Sequence, residues 1–145
     1  MTRDEKNVAM KLAFDVAKED FIKAGEASSN IKKKLSQLGV DPSIIRRIAI
    51  ATYEAEINLV IHSEGGAINV YIKPTAVEIY VEDQGPGIED VNLAMTKGYS
   101  TASQKAREMG FGAGIGLPNM KRCSDDFDIE SELGVGTNLK MVMKL

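Results

Sequence analysis

Residues 42–62, PSIIRRIAIATYEAEINLVIH, constrain this chain more than any other stretch. Asp41-Pro42 opens a helix, with Asp41 as N-cap and Pro42 at the first helical position. The helix runs to His62 or Ser63, and Gly65-Gly66 ends it. Ile48, Ile50, Ala51, Ala55, Ile57, Leu59, Val60 and Ile61 spread around it. A helix this apolar is mostly buried, so the rest of the chain must supply layers that cover it.

Those layers read as strands and short helices. Val8, Met10, Leu12, Phe14 and Val16 alternate with smaller or polar residues, which predicts a strand over 8–16. Residues 26–38 read as a helix started with the help of Ser28 or Ser29 and stopped at Gly39. Residues 67–73 and 76–83 alternate on either side of Pro74-Thr75, as in an antiparallel hairpin. A short helix over 88–96 precedes a long irregular polar stretch, 97–113. Residues 114–124 read as a helix, and 126–132 and 137–144 as strands joined by the turn Leu133-Gly134-Val135-Gly136. The order β, α, α, β, β, loop, α, β, β predicts an α+β fold. It is a two-layer sandwich, with a mixed or antiparallel sheet carrying helices on one face.

The 145 residues are read as a single domain, 1–145, without repeat or linker. The net charge of −3 argues against nucleic acid as a partner. No apolar run approaches the roughly 20 residues of a membrane span. The charged start, Met1-Thr2-Arg3-Asp4-Glu5-Lys6-Asn7, lacks a signal-peptide core, so a cytoplasmic location is expected. The one cysteine, Cys123, excludes a disulfide framework within the chain and reads as a small half-buried residue.

Three groups of residues carry chemistry. Glu54 and Asn58 lie four apart on the apolar helix and share a face. Buried there, they need partners, and a hydrated Mg²⁺ on the Asn58 oxygen, with Glu54 as a base, is one solution; a surface stripe or a local i,i+4 pair is the other reading. Asp83-Gln-Gly85-Pro-Gly87 follows a strand. Asp83 is placed there to accept a hydrogen bond from an exocyclic amine, while the glycines permit close approach of a ligand or simply make a turn. Gly110-Phe-Gly112-Ala-Gly114-Ile-Gly116-Leu117 leads into a helix, which suits phosphate, or serves as a hinge. No strand directly precedes it and no Walker A pattern is present, which excludes a Rossmann site and a P-loop.

Taken in order with Gly136-Thr137, these groups resemble the GHKL ATPase superfamily of the Bergerat ATP-binding fold. The likeness covers nearly the whole chain. EAEINLVIHSEGG, VEDQGPGI, GFGAGIGLPNMKR and FDIESELGVGTNLKM are similar to the bacterial anti-sigma-factor serine/threonine-protein kinases. That resemblance implies ATP and Mg²⁺ as cofactors, with Asn58 coordinating the metal and Glu54 as the general base. It implies Asp83 on the adenine amino group, assisted by Thr137 through its hydroxyl and a water. Gly85 and Gly87 would let the loop pass the purine. Residues 97–113 would form a lid, with Gly110, Gly112, Gly114, Gly116 and Leu117 at the phosphates and Lys105 or Arg107 at the terminal one.

The function it implies is binding and phosphorylation of a small regulatory protein in partner switching. The implied partners are an anti-anti-sigma (STAS-type) protein, a sigma factor and a second copy of the chain. A non-catalytic nucleotide-dependent module and a simple ATPase are the other readings. The sequence departs from the family's Ser-Glu-Ala-x-x-Asn at Tyr53, and adds Glu56, which points to another face and reads as a bystander. The glycine run is also longer than in many anti-sigma kinases, and looks more like that of relatives in stress-signalling switch complexes or of generic small ATPase domains. His62 reads as structural, at a helix end. Lys32-Lys33-Lys34 and Arg46-Arg47 read as solvated helix faces, or as a docking patch. The methionines read as core filler, with Met109 exposed in the lid.

Overall fold

A computed structural model describes residues 9–18, 20, 22–63, 65–83, 85, 95, 116–132 and 134–145. Strand β1 is Met10–Val16, helix α1 Glu26–Gln37 and helix α2 Pro42–His62. Strands β2 (Gly66–Ile72) and β3 (Ala76–Asp83) follow, then helix α3 (Gly116–Cys123) and strands β4 (Asp126–Glu132) and β5 (Gly136–Lys144). The strands form one sheet in the order β1-β2-β3-β5-β4, and every pairing is antiparallel. The α+β expectation holds, and the sheet is antiparallel rather than mixed.

Alternation along the strands explains the layers. Ile68, Val70 and Ile72 of β2, Val77, Ile79 and Val81 of β3, and Leu139, Met141 and Met143 of β5 point to one face. There they join Ile31 and Leu35 of α1, Ile48, Ala51, Ala55 and Leu59 of α2, and Leu117 and Met120 of α3 in one core. Met10 and Met95 pack at its edge, as core filler should. On the opposite face, Tyr71 and Tyr80 meet edge to face, with ring centroids 5.5 Å apart. Lys11 and Lys140 lie over these rings, at 5.4 and 5.6 Å. Lys73 closes the face through a 2.8 Å ion pair with Glu78.

Helix ends follow local chemistry in one case and long-range chemistry in the other. At α2, Asp41 Oδ1 accepts from Ser43 N at 2.8 Å, and Pro42 occupies the first turn. The Ser43 donors hold the Asp41 carboxyl below its ordinary range. At α1 the expected start from Ser28 or Ser29 is not what caps the helix. Gly25 sits at the cap with no side chain to offer. The acceptor comes instead from Glu56, whose carboxylate takes the N–H groups of Ala27 at 3.0 Å and Ser28 at 3.3 Å. Glu56 is buried, and it serves as a remote cap that binds α1 to α2.

Glu56→Ala is therefore expected to leave two buried N–H groups unsatisfied. The cost is about 1.5–3 kcal/mol, a Tm fall of roughly 3–12 °C for a domain of this size. Thermal unfolding followed by circular dichroism checks it, and Glu56→Gln should recover part of the loss.

A second long-range tie fixes α3. Arg47 Nε donates to the Cys123 carbonyl at 3.0 Å and Arg47 Nη2 pairs with Asp125 at 3.1 Å. Asp125 also accepts from Lys144 N at 2.7 Å. These donors hold the Asp125 carboxyl below its ordinary range, the Lys144 N–H contributing most. Arg47 is thus a structural clamp although its side chain stays partly exposed, whereas Lys32, Lys33 and Arg46 are exposed. Cys123 is buried rather than half-buried, and burial pushes its thiol pKa up.

Candidate functional site

The candidate site has two parts, one where α2 meets the start of α3 and one at the end of β3. The one-turn spacing of Glu54 and Asn58 on α2 aims both side chains at the first residue of α3, Gly116. A Cβ at Gly116 would stand 3.1 Å from Glu54 Oε2 and 3.5 Å from Asn58 Oδ1. The missing side chain therefore leaves a cradle bounded by a carboxylate oxygen, an amide oxygen and a helix N-terminus. The other Glu54 oxygen, Oε1, accepts from Asn119 Nδ2 at 3.4 Å. Asn119 Oδ1 in turn accepts from Arg122 Nη2. A guanidinium can only donate, so it turns the amide oxygen toward itself and leaves the NH₂ for Glu54. Asn119 and Arg122 were not singled out in the sequence. Their spacings of three and six from Gly116 along an eight-residue helix are the available signal.

Asp83, the last residue of β3, lies at the other end of the site. Its Oδ1 accepts the Thr137 N–H at 2.7 Å. Thr137 is buried, and its hydroxyl lies 2.9 Å from Ser131 Oγ, directly across the β4–β5 ladder. The structure thus joins Thr137 to Asp83 through the backbone, and engages the threonine hydroxyl with a serine that the sequence reading did not select. Burial pushes the Asp83 carboxyl above its usual range, and the Thr137 hydrogen bond offsets this in part. Leu59 of α2 and the end of β3 both pack against Gly66. A Cβ at Gly66 would stand 2.8 Å from Leu59 Cδ2 and 3.0 Å from Asp83 Cα.

The described part of the predicted set is therefore Glu54, Asn58, Asp83, Gly85, Gly116, Leu117 and Thr137. Leu117 turns its side chain into the core. Gly87, Lys105, Arg107, Gly110, Gly112 and Gly114 lie outside the described residues, as do Met109, the expected 88–96 helix apart from Met95, and the His62 side chain. His62 is the last residue of α2. Among the described residues, no three of His, Cys, Asp and Glu cluster as metal ligands. No described helix is long and apolar enough to cross a membrane.

Residues 43–145 match the family of histidine kinase-, DNA gyrase B- and HSP90-like ATPases. The chain belongs to this family. Within the GHKL ATPases it is 32% identical over 127 residues to the serine/threonine-protein kinase RsbT of Bacillus subtilis, covering 85% of this chain and 87% of that one. It is 34% identical over 109 residues to the anti-sigma F factor of Caldanaerobacter subterraneus, covering 70% and 73%. The fold is also that of a chain in the SiaB–SiaC complex of Pseudomonas aeruginosa. The TM-score is 0.60 at 12% identity, over 95% of this chain and 90% of that one.

Proposed function

We propose that the chain is an ATP-dependent serine/threonine-protein kinase and anti-sigma regulatory factor. It binds and phosphorylates a small STAS-type anti-anti-sigma protein in a bacterial partner-switching system. The observation that carries this reading is the convergence of Glu54 Oε2 and Asn58 Oδ1 on the side-chain-free start of α3. The likeness to RsbT and to an anti-sigma F factor supports the reaction class. Residues 1–145 act as a single cytoplasmic ATP-binding domain, with a sigma factor and a second copy of the chain as further partners.

Each end of the site has its own task. Asp83 accepts a hydrogen bond from the adenine amino group, held in place by Thr137. Gly85 and Gly87 let the backbone pass the purine. The N–H groups at the start of α3, and the glycines before it, receive the phosphates. By the same resemblance, Lys105 or Arg107 would serve the terminal phosphate.

The donors at the Gly116 cradle fit Mg²⁺, a hard cation that takes a single amide or carboxylate oxygen beside phosphate and water. Asn58 would hold it. When bound, Mg²⁺ neutralises charge on the phosphates. Glu54 then takes the proton of a serine or threonine hydroxyl. The hydroxyl oxygen bonds to the terminal phosphorus as the bond to the leaving oxygen of ADP breaks. Asn119 positions Glu54 by holding Oε1, which leaves Oε2 toward the cradle.

Isothermal titration with Mg-ATP tests the site. Wild type is expected to bind, and Asn58→Ala and Asp83→Asn to lose affinity by about tenfold or more, or about 1.4 kcal/mol. No binding by wild type would overturn the reading.

The same titration across pH has a defined sign. An amine donor needs the ionised Asp83, and burial makes that carboxyl take up its proton at a higher pH than usual. Affinity should fall on acidification from above the ordinary carboxylate range. Asp83→Asn should flatten that dependence. Without nucleotide the raised pKa acts the other way on folding. Its contribution to stability is full below the unfolded value and lost as pH rises through the folded one.

A further inference from the structure

The outer side of the helical layer carries a groove of about 620 Å³ between α1 and α2, and it runs up to Glu54. Its floor is apolar, with Val40, Ile45, Ala49 and Ile50. Ile50 and Tyr53 are the most exposed large apolar side chains of α2, at 39% and 38%. Arg46, Ala49, Ile50 and Tyr53 recur at intervals of three and four, so they form one stripe along the helix. The core does not use this stripe, because α2 already buries Ile48, Ala51, Ala55 and Leu59 beneath it.

Charge then selects the occupant. Lys32 from α1 and Arg46 from α2 line the groove, and Glu54 at its end is the one acidic group there among the described residues. Neither cation is held in an ion pair among the described residues, in contrast to Arg47. An apolar floor flanked by these two cations complements a segment that is apolar on one side and acidic on its flanks.

The geometry points to this groove as the docking site for an acidic, apolar-faced helical segment of the acceptor protein. A segment seated along Arg46, Ile50 and Tyr53 ends beside Glu54, where its protein presents the hydroxyl that is phosphorylated. The delivery step rests on Glu54 as the base, whereas docking itself needs no nucleotide.

The test is a ¹⁵N chemical-shift titration of the full chain without nucleotide. The probe is a synthetic helical peptide with leucines at positions i, i+3, i+4 and i+7 and glutamates on the flanks. Its counterpart carries lysine flanks. The glutamate peptide is expected to shift the amides of Arg46, Ala49, Ile50 and Tyr53, and the lysine peptide to bind at least about tenfold more weakly. Lys32→Glu/Arg46→Glu should reverse that preference. These sites are exposed, and unchanged thermal unfolding confirms the fold.

Absence of shifts in the groove, equal binding of the two peptides, or unchanged binding by the charge-reversed variant each overturn the proposal. Light scattering adds a further arm. A wild-type dimer that Ile50→Asp converts to monomer would assign the groove to a second copy, which also overturns it. Mg-ATP titration of the same samples separates the two ideas. Nucleotide binding lost with docking intact refutes the kinase reading alone, and the reverse refutes only the groove.

Discussion

Glu54→Gln is expected to lower phosphate transfer to a STAS-type acceptor by about 10²–10⁴-fold while leaving Mg-ATP affinity unchanged. The substitution is nearly isosteric, and the glutamine oxygen can still accept from Asn119. What it removes is the ability to take a proton from the attacking hydroxyl. Because that loss belongs to the transition state, it should appear in kcat and leave nucleotide binding alone. Transfer of labelled phosphate, measured beside calorimetric binding, reads both quantities. Retained transfer would show that Glu54 is not the base. Retained binding with no transfer in wild type would favour a non-catalytic nucleotide-dependent module.

Gly136→Ala is expected to damage stability and nucleotide binding together. Gly136 has φ +144°, a conformation that residues with a Cβ rarely adopt. Its Cβ would collide with the Asp83 carbonyl and stand 3.0 Å from Asp83 Oδ1. Either β5 or the end of β3 must move, which breaks the 2.7 Å bond from Thr137 N that holds the carboxylate. Overpacking of this kind costs about 1–3 kcal/mol. The Tm should fall, and Mg-ATP affinity should drop by about tenfold or more as Asp83 is displaced. Normal affinity in a destabilised protein would separate Asp83 from the nucleotide. Gly134→Ala is a control in the same turn. It shares a positive φ, but its Cβ would meet nothing within 4 Å. It should therefore lower Tm without touching affinity.

The layers were readable in the chain because they follow from local periodicity. Alternation in β1 to β5 sends one set of side chains to the core, and Asp41-Pro42 starts α2 by neighbours alone. The Glu54–Asn58 spacing is likewise local, since one helical turn places both side chains on one face.

The tertiary fold supplied what sequence distance conceals. Glu56 read as a bystander because its partners, Ala27 and Ser28, are 29 and 28 residues away. Arg47 read as solvated because Asp125 and Cys123 reach it only when α3 and β4 pack beside α2. Ser131 meets the Thr137 hydroxyl only through strand register, and Asn119 meets Glu54 only because α3 crosses α2 at Gly116. Periodicity says which face a residue occupies. Which residue waits on the facing element is settled by packing, and a single helix or strand carries no record of it.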